Sequence, residues 1–308
     1  MLLKLGSSGE DVKQLQEFLK INADGKFGAA TELKVRAWQI LNGLLPDGIV
    51  GDNTWHKMAI ATTDLSENLD RVDQNIEIKR LYMPTSEYLV GPTKKEWLFL
   101  HHTAGWQDPY NVISSWSKDN RGPVGTEFVL GGQSVKGDDA KQDGVIVQAF
   151  PKGCYGWHLG VGNSLMHRNS VGVEVCSFGQ VTKGGYQKDG DWIDLQPNTF
   201  YNYVGTEVVP EQIVKLKKPF RGYSHCHVYS DKQLNSLKKL ILYVGERDGI
   251  DVKQGLIGLI KTKGVDAFDI MDVKMCEKTK GMWCHTNVQR GKVDLFPQEK
   301  LIDMLLSL

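Results

Sequence analysis

Two Asp-Gly-x-x-Gly turns divide the first sixty residues into short pieces: Asp24-Gly25-Lys26-Phe27-Gly28 and Asp47-Gly48-Ile49-Val50-Gly51. Glycine at such positions admits backbone conformations that break a helix, so no long element can run through this region. Between the turns the apolar residues recur at helical spacing. Val12, Leu15 and Leu19 share one face of a helix predicted over residues 11–20. A second helix starts at Thr31 and carries Leu33, Ala37, Trp38 and Leu41, and a last short one opens at Asn53 or Thr54 with Trp55 and Met58. Residues 1–62 are therefore expected to form a small three-helix domain, with the two turns marking an internal repeat.

The texture changes after this unit. Residues 63–92 are polar and charged and read as a linker and lead-in. From Glu96 onward, short apolar runs alternate with helical patterns. Strands are predicted at 97–101, 127–130, 145–150 and 171–176, the last with Val171, Val173 and Val175 on one face and Gly172, Glu174 and Cys176 on the other. Ser230 caps a long helix, with Gln233 as the reciprocal capping-box partner and Leu234, Leu237, Ile241 and Val244 as the buried stripe. Pro297 is expected to open a final helix. The fold class is α+β: the three-helix domain, then residues 93–308 as a mixed sheet flanked by helices. Residues 180–228, rich in Gly, Tyr, Lys and Pro, form an insertion that is expected to border a groove.

Composition removes several functions. Lys+Arg and Asp+Glu are equal at 37 each, so no global field draws the chain to nucleic acid. No apolar run is long enough for a membrane helix, and the start Met-Leu-Leu-Lys-Leu-Gly lacks the pattern of a signal peptide. The expectation is a monomer made in a cytoplasm, without membrane insertion. Five cysteines, an odd number with no Cys-x-x-Cys pair, argue against both a disulfide framework and a cysteine-rich zinc finger.

The chemistry gathers elsewhere. His101 and His102 close the apolar run Trp97-Leu98-Phe99-Leu100, and far downstream His285 is followed by Lys292 and Asp294. Two imidazoles and a carboxylate can hold one Zn²⁺ and leave its fourth position open, as catalytic rather than structural sites do. Lys292 would place a positive charge where an oxyanion forms. Glu174 points away from its core-facing neighbours and is the candidate general base.

Four motifs occur in one order: His-His-Thr-Ala-Gly after a strand, Gly-Trp-His-Leu-Gly at 156–160, Ser-Val-Gly-Val-Glu-Val at 170–175, and His-Thr-Asn-Val-Gln-Arg-Gly-Lys-Val-Asp at 285–294. Together they resemble the zinc-dependent N-acetylmuramoyl-L-alanine amidases of the phage type, which share a fold with peptidoglycan recognition proteins. Residues 3–60, through Gly-Ser-Ser-Gly-Glu-Asp-Val and Asp-Gly-Ile-Val-Gly-Asp-Asn-Thr-Trp, resemble the three-helix peptidoglycan-binding domain of wall hydrolases. The resemblance implies one Zn²⁺ held by His101, His285 and Asp294, with Glu174 and Lys292 catalytic and His158 near the substrate rather than on the metal. His102, beside a strand-end ligand, is expected to point away from it. Many members carry Tyr where this chain has Thr126. Thr126 is expected to border the substrate, with Glu127 as the inward residue if the strand register differs.

The function implied is a peptidoglycan hydrolase that cuts the amide between N-acetylmuramic acid and L-alanine, as a phage endolysin stored in the host cytoplasm before it acts on the wall. A recognition protein without catalysis and a virion-associated lytic component are the alternatives. A zinc D,D- or L,D-peptidase fits less well: His225-Cys226-His227 is a His-x-His, but no spaced His/Asp pair of that family precedes it.

Overall fold

The computed structural model of the chain describes residues 2–58, 76–91, 93–160 and 164–308. In the N-terminal domain, α1 (Glu10–Phe18), α2 (Ala29–Leu41) and helical residues 52–58 enclose Val12, Leu15, Phe27, Val35, Val50, Trp55 and Met58. The repeat has a common internal knot. The Gln16 side-chain nitrogen reaches Asp24 Oδ1 (2.8 Å), the Lys26 carbonyl (2.9 Å) and Thr31 Oγ1 (3.0 Å), while its oxygen accepts from Gly25 N–H (2.8 Å). Gln39 repeats the set with Asp47, Ile49, Thr54 and Gly48 at 2.9, 2.9, 3.1 and 2.9 Å. Gly25 and Gly48 sit at φ 71° and 72°, the left-handed region that favours glycine. Both glutamines are buried, so an apolar replacement strands several polar groups without water. Gln39→Leu is expected to destabilise this domain by about 2–4 kcal/mol, at 1–3 kcal/mol per stranded group, measurable by chemical denaturation.

The second domain is built on a six-stranded sheet. Its strands are β1 (Ile78–Arg80), β2 (Trp97–His102), β3 (Phe128–Leu130), β4 (Ile146–Gln148), β5 (Ser170–Val175) and β6 (Gly281–Cys284). Their order is β1-β4-β3-β5-β2-β6. The run β3-β5-β2-β6 is parallel, β4 is antiparallel to β3, and β1 is parallel to β4. The lead-in therefore differs from the expected linker: Ile78–Arg80 is an edge strand of the sheet, and Leu89–Val90 pairs with Cys154–Tyr155. The part of the linker at 63–75 lies outside the described residues.

Both faces of the sheet are covered, which is why its parallel strands read as nearly continuous apolar runs. Leu98, Leu100, Val171, Val173, Val175 and Met282 face the long helix Asp231–Asp248 and the final helix Glu299–Leu306. Val129 and Val147 pack on the other side with Ile113 of helix Pro109–Trp116, and Trp97, Phe99 and Trp283 form a further cluster. Ser230 caps the long helix as expected, accepting from Gln233 N–H at 2.9 Å. The reciprocal bond is not made. The Gln233 amide instead donates to the carbonyls of Gly131 and Cys176, both at 3.0 Å, and so ties the ends of β3 and β5. Pro297 precedes its helix rather than opening it, because Gln298 is the cap and its side chain bonds the backbone of His227 and Tyr229.

The insertion is antiparallel β structure, including the hairpins Gly185–Asp194 and Ile213–His227, around Val135, Phe178, Val181 and Val208. All five cysteines are free and buried. The two domains touch where Arg168 donates to the Asp11 carboxylate and where Tyr88 meets His56.

Candidate metal centre and catalytic cavity

Parallel pairing delivers the site. In register, His101 on β2 lies opposite Glu174 on β5, and Leu100 lies opposite Cys284, the last residue of β6. His285 thus begins one step beyond the strand, at the same carboxyl edge as His101. Ligands collect at the carboxyl ends of parallel strands for this topological reason. Asn287 fixes the turn that follows: its side chain accepts from Cys284 N–H at 3.0 Å and donates to the carbonyls of Ala267 and Ile270. The chain then returns Asp294 beside His285.

His101 Nδ1, His285 Nδ1 and Asp294 Oδ2 form a triangle with sides of 3.0, 3.1 and 3.3 Å. Ligands bound at ~2.0–2.1 Å to one tetrahedral centre stand about 3.3 Å apart, so the donor set fits Zn²⁺. The outward ring nitrogens support the same tautomers. His285 Nε2 donates to the Leu159 carbonyl and Gln289 Oε1, both at 2.9 Å, leaving Nδ1 a free lone pair. His101 Nε2 lies 3.0 Å from His158 Nδ1, and His158 Nε2 lies 2.8 Å from Ser170 Oγ. A proton on each Nε2 satisfies the whole chain, which again leaves His101 Nδ1 free. Burial, with the neighbouring His285, pushes His101 down to about 4, so the imidazole is neutral as a ligand must be.

Beside this triangle opens a cavity of about 640 Å³, lined by Glu174, Lys292, His158, His285 and Asp294, with Trp106 and Trp157 half-exposed among its lining residues. Glu174 Oε2 is a buried atom with no hydrogen-bond partner among the described residues. Burial raises the Glu174 carboxyl to about 8, with the Asp294 charge adding and Lys292 opposing. A carboxyl so placed can take and return a proton near neutral pH.

Several expected residues land differently. His158 lines the cavity outside the triangle, and its ring is also the hydrogen-bond partner of His101, so it can orient that candidate ligand. Thr126 does not border the cavity. It is buried, its hydroxyl donates to the Phe128 carbonyl at 3.0 Å, and its methyl packs over Gly172. Glu127 does not face the site either: it is buried in a two-bond pair with Arg247 at 2.5 and 3.0 Å. The β3 strand begins only at Phe128, so simple alternation does not extend back to either residue. His102 points away as expected, stacked on Phe296 with ring centroids 5.7 Å apart. His225 and His227 lie outside the triangle; His227 Nδ1 meets Ser177 Oγ and the Phe178 amide. Two contributors were given no role by the sequence. Ser170 completes the His101–His158 chain, and Arg221, from the insertion, bonds the loop that carries Lys292.

Comparison with known proteins finds similarity over parts of the chain. Residues 8–58 match the family described as "Putative peptidoglycan binding domain". An uncharacterized protein in the bpoA1 3' region of Kitasatospora aureofaciens is 39% identical over 64 residues, which cover 18% of this chain and 54% of that protein. The chain thus spans about half the length of this curated relative. Among solved structures, a fused Zn-dependent amidase/peptidase/peptidoglycan-binding domain-containing protein from Clostridium acetobutylicum is 28% identical, covering 26% of this chain and 51% of that one, with a TM-score of 0.19. A mutant endolysin from Bacillus subtilis is 15% identical, covering 57% and 80%, with a TM-score of 0.32. The N-terminal unit, with its repeated turns and glutamine knots, is therefore the part of the chain that is similar to the peptidoglycan-binding family.

Proposed function

We propose that the chain is a zinc-dependent N-acetylmuramoyl-L-alanine amidase that acts on bacterial peptidoglycan. The observation that carries this reading is the open triangle of His101, His285 and Asp294 beside Glu174, whose Oε2 has no hydrogen-bond partner among the described residues, in one cavity. The peptidoglycan-binding domain supports the polymer as substrate, since holding the same polymer raises its local concentration at the cavity.

Bound at the triangle, Zn²⁺ would supply Lewis acidity toward the scissile carbonyl and toward water. The chain's own groups do the rest. Glu174 accepts the proton of the attacking water and returns it to the L-alanine nitrogen as the amide C–N bond breaks. Lys292 offers its ammonium to the oxygen of the tetrahedral intermediate. His158 and Ser170 hold His101 in the ligating tautomer, and the Leu159 carbonyl does the same for His285.

The pairing of a wall-binding domain with a catalytic domain further supports a phage endolysin that accumulates in the host cytoplasm before lysis. Mass spectrometry of products from purified sacculi, with and without a chelator, tests the bond assignment. Stem peptides beginning with free L-alanine, lost on chelation and restored by Zn²⁺, are expected. New reducing sugars or cuts within the peptide would show a different hydrolase, and binding without release would favour a recognition protein.

A further inference from the structure

We infer that the insertion is a brace for the catalytic cavity, with Arg221 as a positioning residue for the loop that carries Lys292 and Asp294. The inference rests on the amidase reading only for its kinetic arm. Arg221 occupies the turn between strands Ile213–Phe220 and Tyr223–His227. From there its guanidinium crosses to the far loop. Nη1 donates to the carbonyls of Arg290 (2.6 Å) and Lys292, and Nη2 reaches the Thr286 carbonyl at 3.4 Å. Nε donates to Asp269 Oδ1 at 2.8 Å, which fixes the fork in its plane. One side chain thereby ties the backbone at the start, middle and end of the segment between the second and third ligands. The planar fork suits several carbonyls at once, which a lysine ammonium on a flexible stem does not.

The backbone of Arg221 strengthens the case. Its φ is 48°, in the left-handed region where a side chain is disfavoured, and Gly222 follows at 88°. A hairpin turn of this kind prefers Asn, Asp or Gly at its first central position. Arginine stands there and spends its side chain on another loop. The insertion also braces the opposite wall. Tyr203 donates to the Ala104 carbonyl at 2.6 Å, within the segment 103–106 that lines the cavity directly after His101 and His102. The two walls are thus spanned by one element, and their separation is set from outside the sheet.

The test uses the full chain and three variants: Arg221→Ala, Arg221→Lys and Tyr203→Phe. Zinc affinity is read by competition with a chromogenic chelator, loop order by amide hydrogen exchange, and catalysis by kcat and KM for stem-peptide release. Arg221→Ala is expected to weaken zinc about 10- to 100-fold, as loss of a partner supporting the ligands does. Its kcat should fall similarly with little change in KM, and exchange should accelerate at 286–294. Arg221→Lys should restore part of each, since it keeps the charge and one carbonyl contact. Tyr203→Phe should raise KM more than it lowers kcat and loosen residues 103–106. Wild-type zinc affinity and exchange in Arg221→Ala overturn the proposal. If that variant does not fold, the same result in Arg221→Lys overturns it. A wild-type protein that binds zinc but releases no stem peptide defeats the amidase reading alone, because affinity and exchange still decide the brace.

Discussion

Glu174→Gln is expected to fold, bind Zn²⁺ and lose stem-peptide release by about 10²- to 10⁴-fold, the range general acid–base catalysis contributes. Glutamine keeps the shape of the side chain but can neither accept the water proton nor deliver it to the amine. The carboxyl sits opposite His101 in the sheet register, so no loop movement is needed to bring it to the cavity. The same substitution carries a stability signature. In metal-free protein the folded carboxyl ionises only near pH 8, against 4.5 for the group in its ordinary setting. Between those values the folded state holds a proton that the unfolded chain has released. Wild-type stability therefore falls as pH rises from 4.5 toward 8, and the loss is complete above that. Metal-free Glu174→Gln should melt above metal-free wild type at roughly pH 9, with the gap closing near roughly pH 4. A gap independent of pH would mean that burial is not what shifts the group. An active Glu174→Gln enzyme would sink its role as base.

Removal of the metal is the second large effect. Chelation, or His285→Ala, is expected to abolish release and to lower thermal stability. Without a cation, two Nδ1 lone pairs and a carboxylate oxygen converge within 3.3 Å in a buried space. Binding to the folded state alone stabilises by about 4 kcal/mol when zinc is a thousandfold above its Kd. For a domain of this size that is roughly a 10 °C rise in melting temperature. Calorimetry of the stripped protein with added Zn²⁺ measures it. His285→Ala should remove both the shift and the activity. A stripped enzyme that still releases stem peptides, or zinc that leaves the melting curve unmoved, would refute the metal assignment.

How far the site could be read beforehand follows from where each signal is stored. His101 and Glu174 lie at the ends of strands whose apolar pattern is local, but no strand was expected before His285, and the common edge appears only with the parallel pairing of Gly281–Cys284 to Trp97–His102. Asp294 and Lys292 came from a motif held within ten residues. The side of Glu174 followed from alternation with Val173 and Val175, because the strand is regular there. Alternation failed at Thr126 and Glu127 because they precede the strand, and because Glu127 answers to Arg247, far away on a helix. Ile78–Arg80 was missed for a related reason: a three-residue edge strand flanked by charge carries too little pattern to distinguish it from a linker. Gln233 looked like a capping residue because local geometry permits that bond, while the carbonyls of Gly131 and Cys176 offer buried partners. Arg221 had no sequence signal at all, and Ser170 headed a recognised motif that gave no sign of its role. Their roles depend on chain segments brought together only by the complete fold.

The burial of every cysteine has a consequence for where the molecule can work. Burial lifts each thiol far from ionisation, and Cys154, Cys226 and Cys284 are also almost entirely enclosed by their surroundings. Only the thiolate attacks an oxidant or a disulfide. The folded chain can therefore pass from a reducing compartment to an oxidising one without scrambled crosslinks, and its thiols become vulnerable only in molecules that have already come apart.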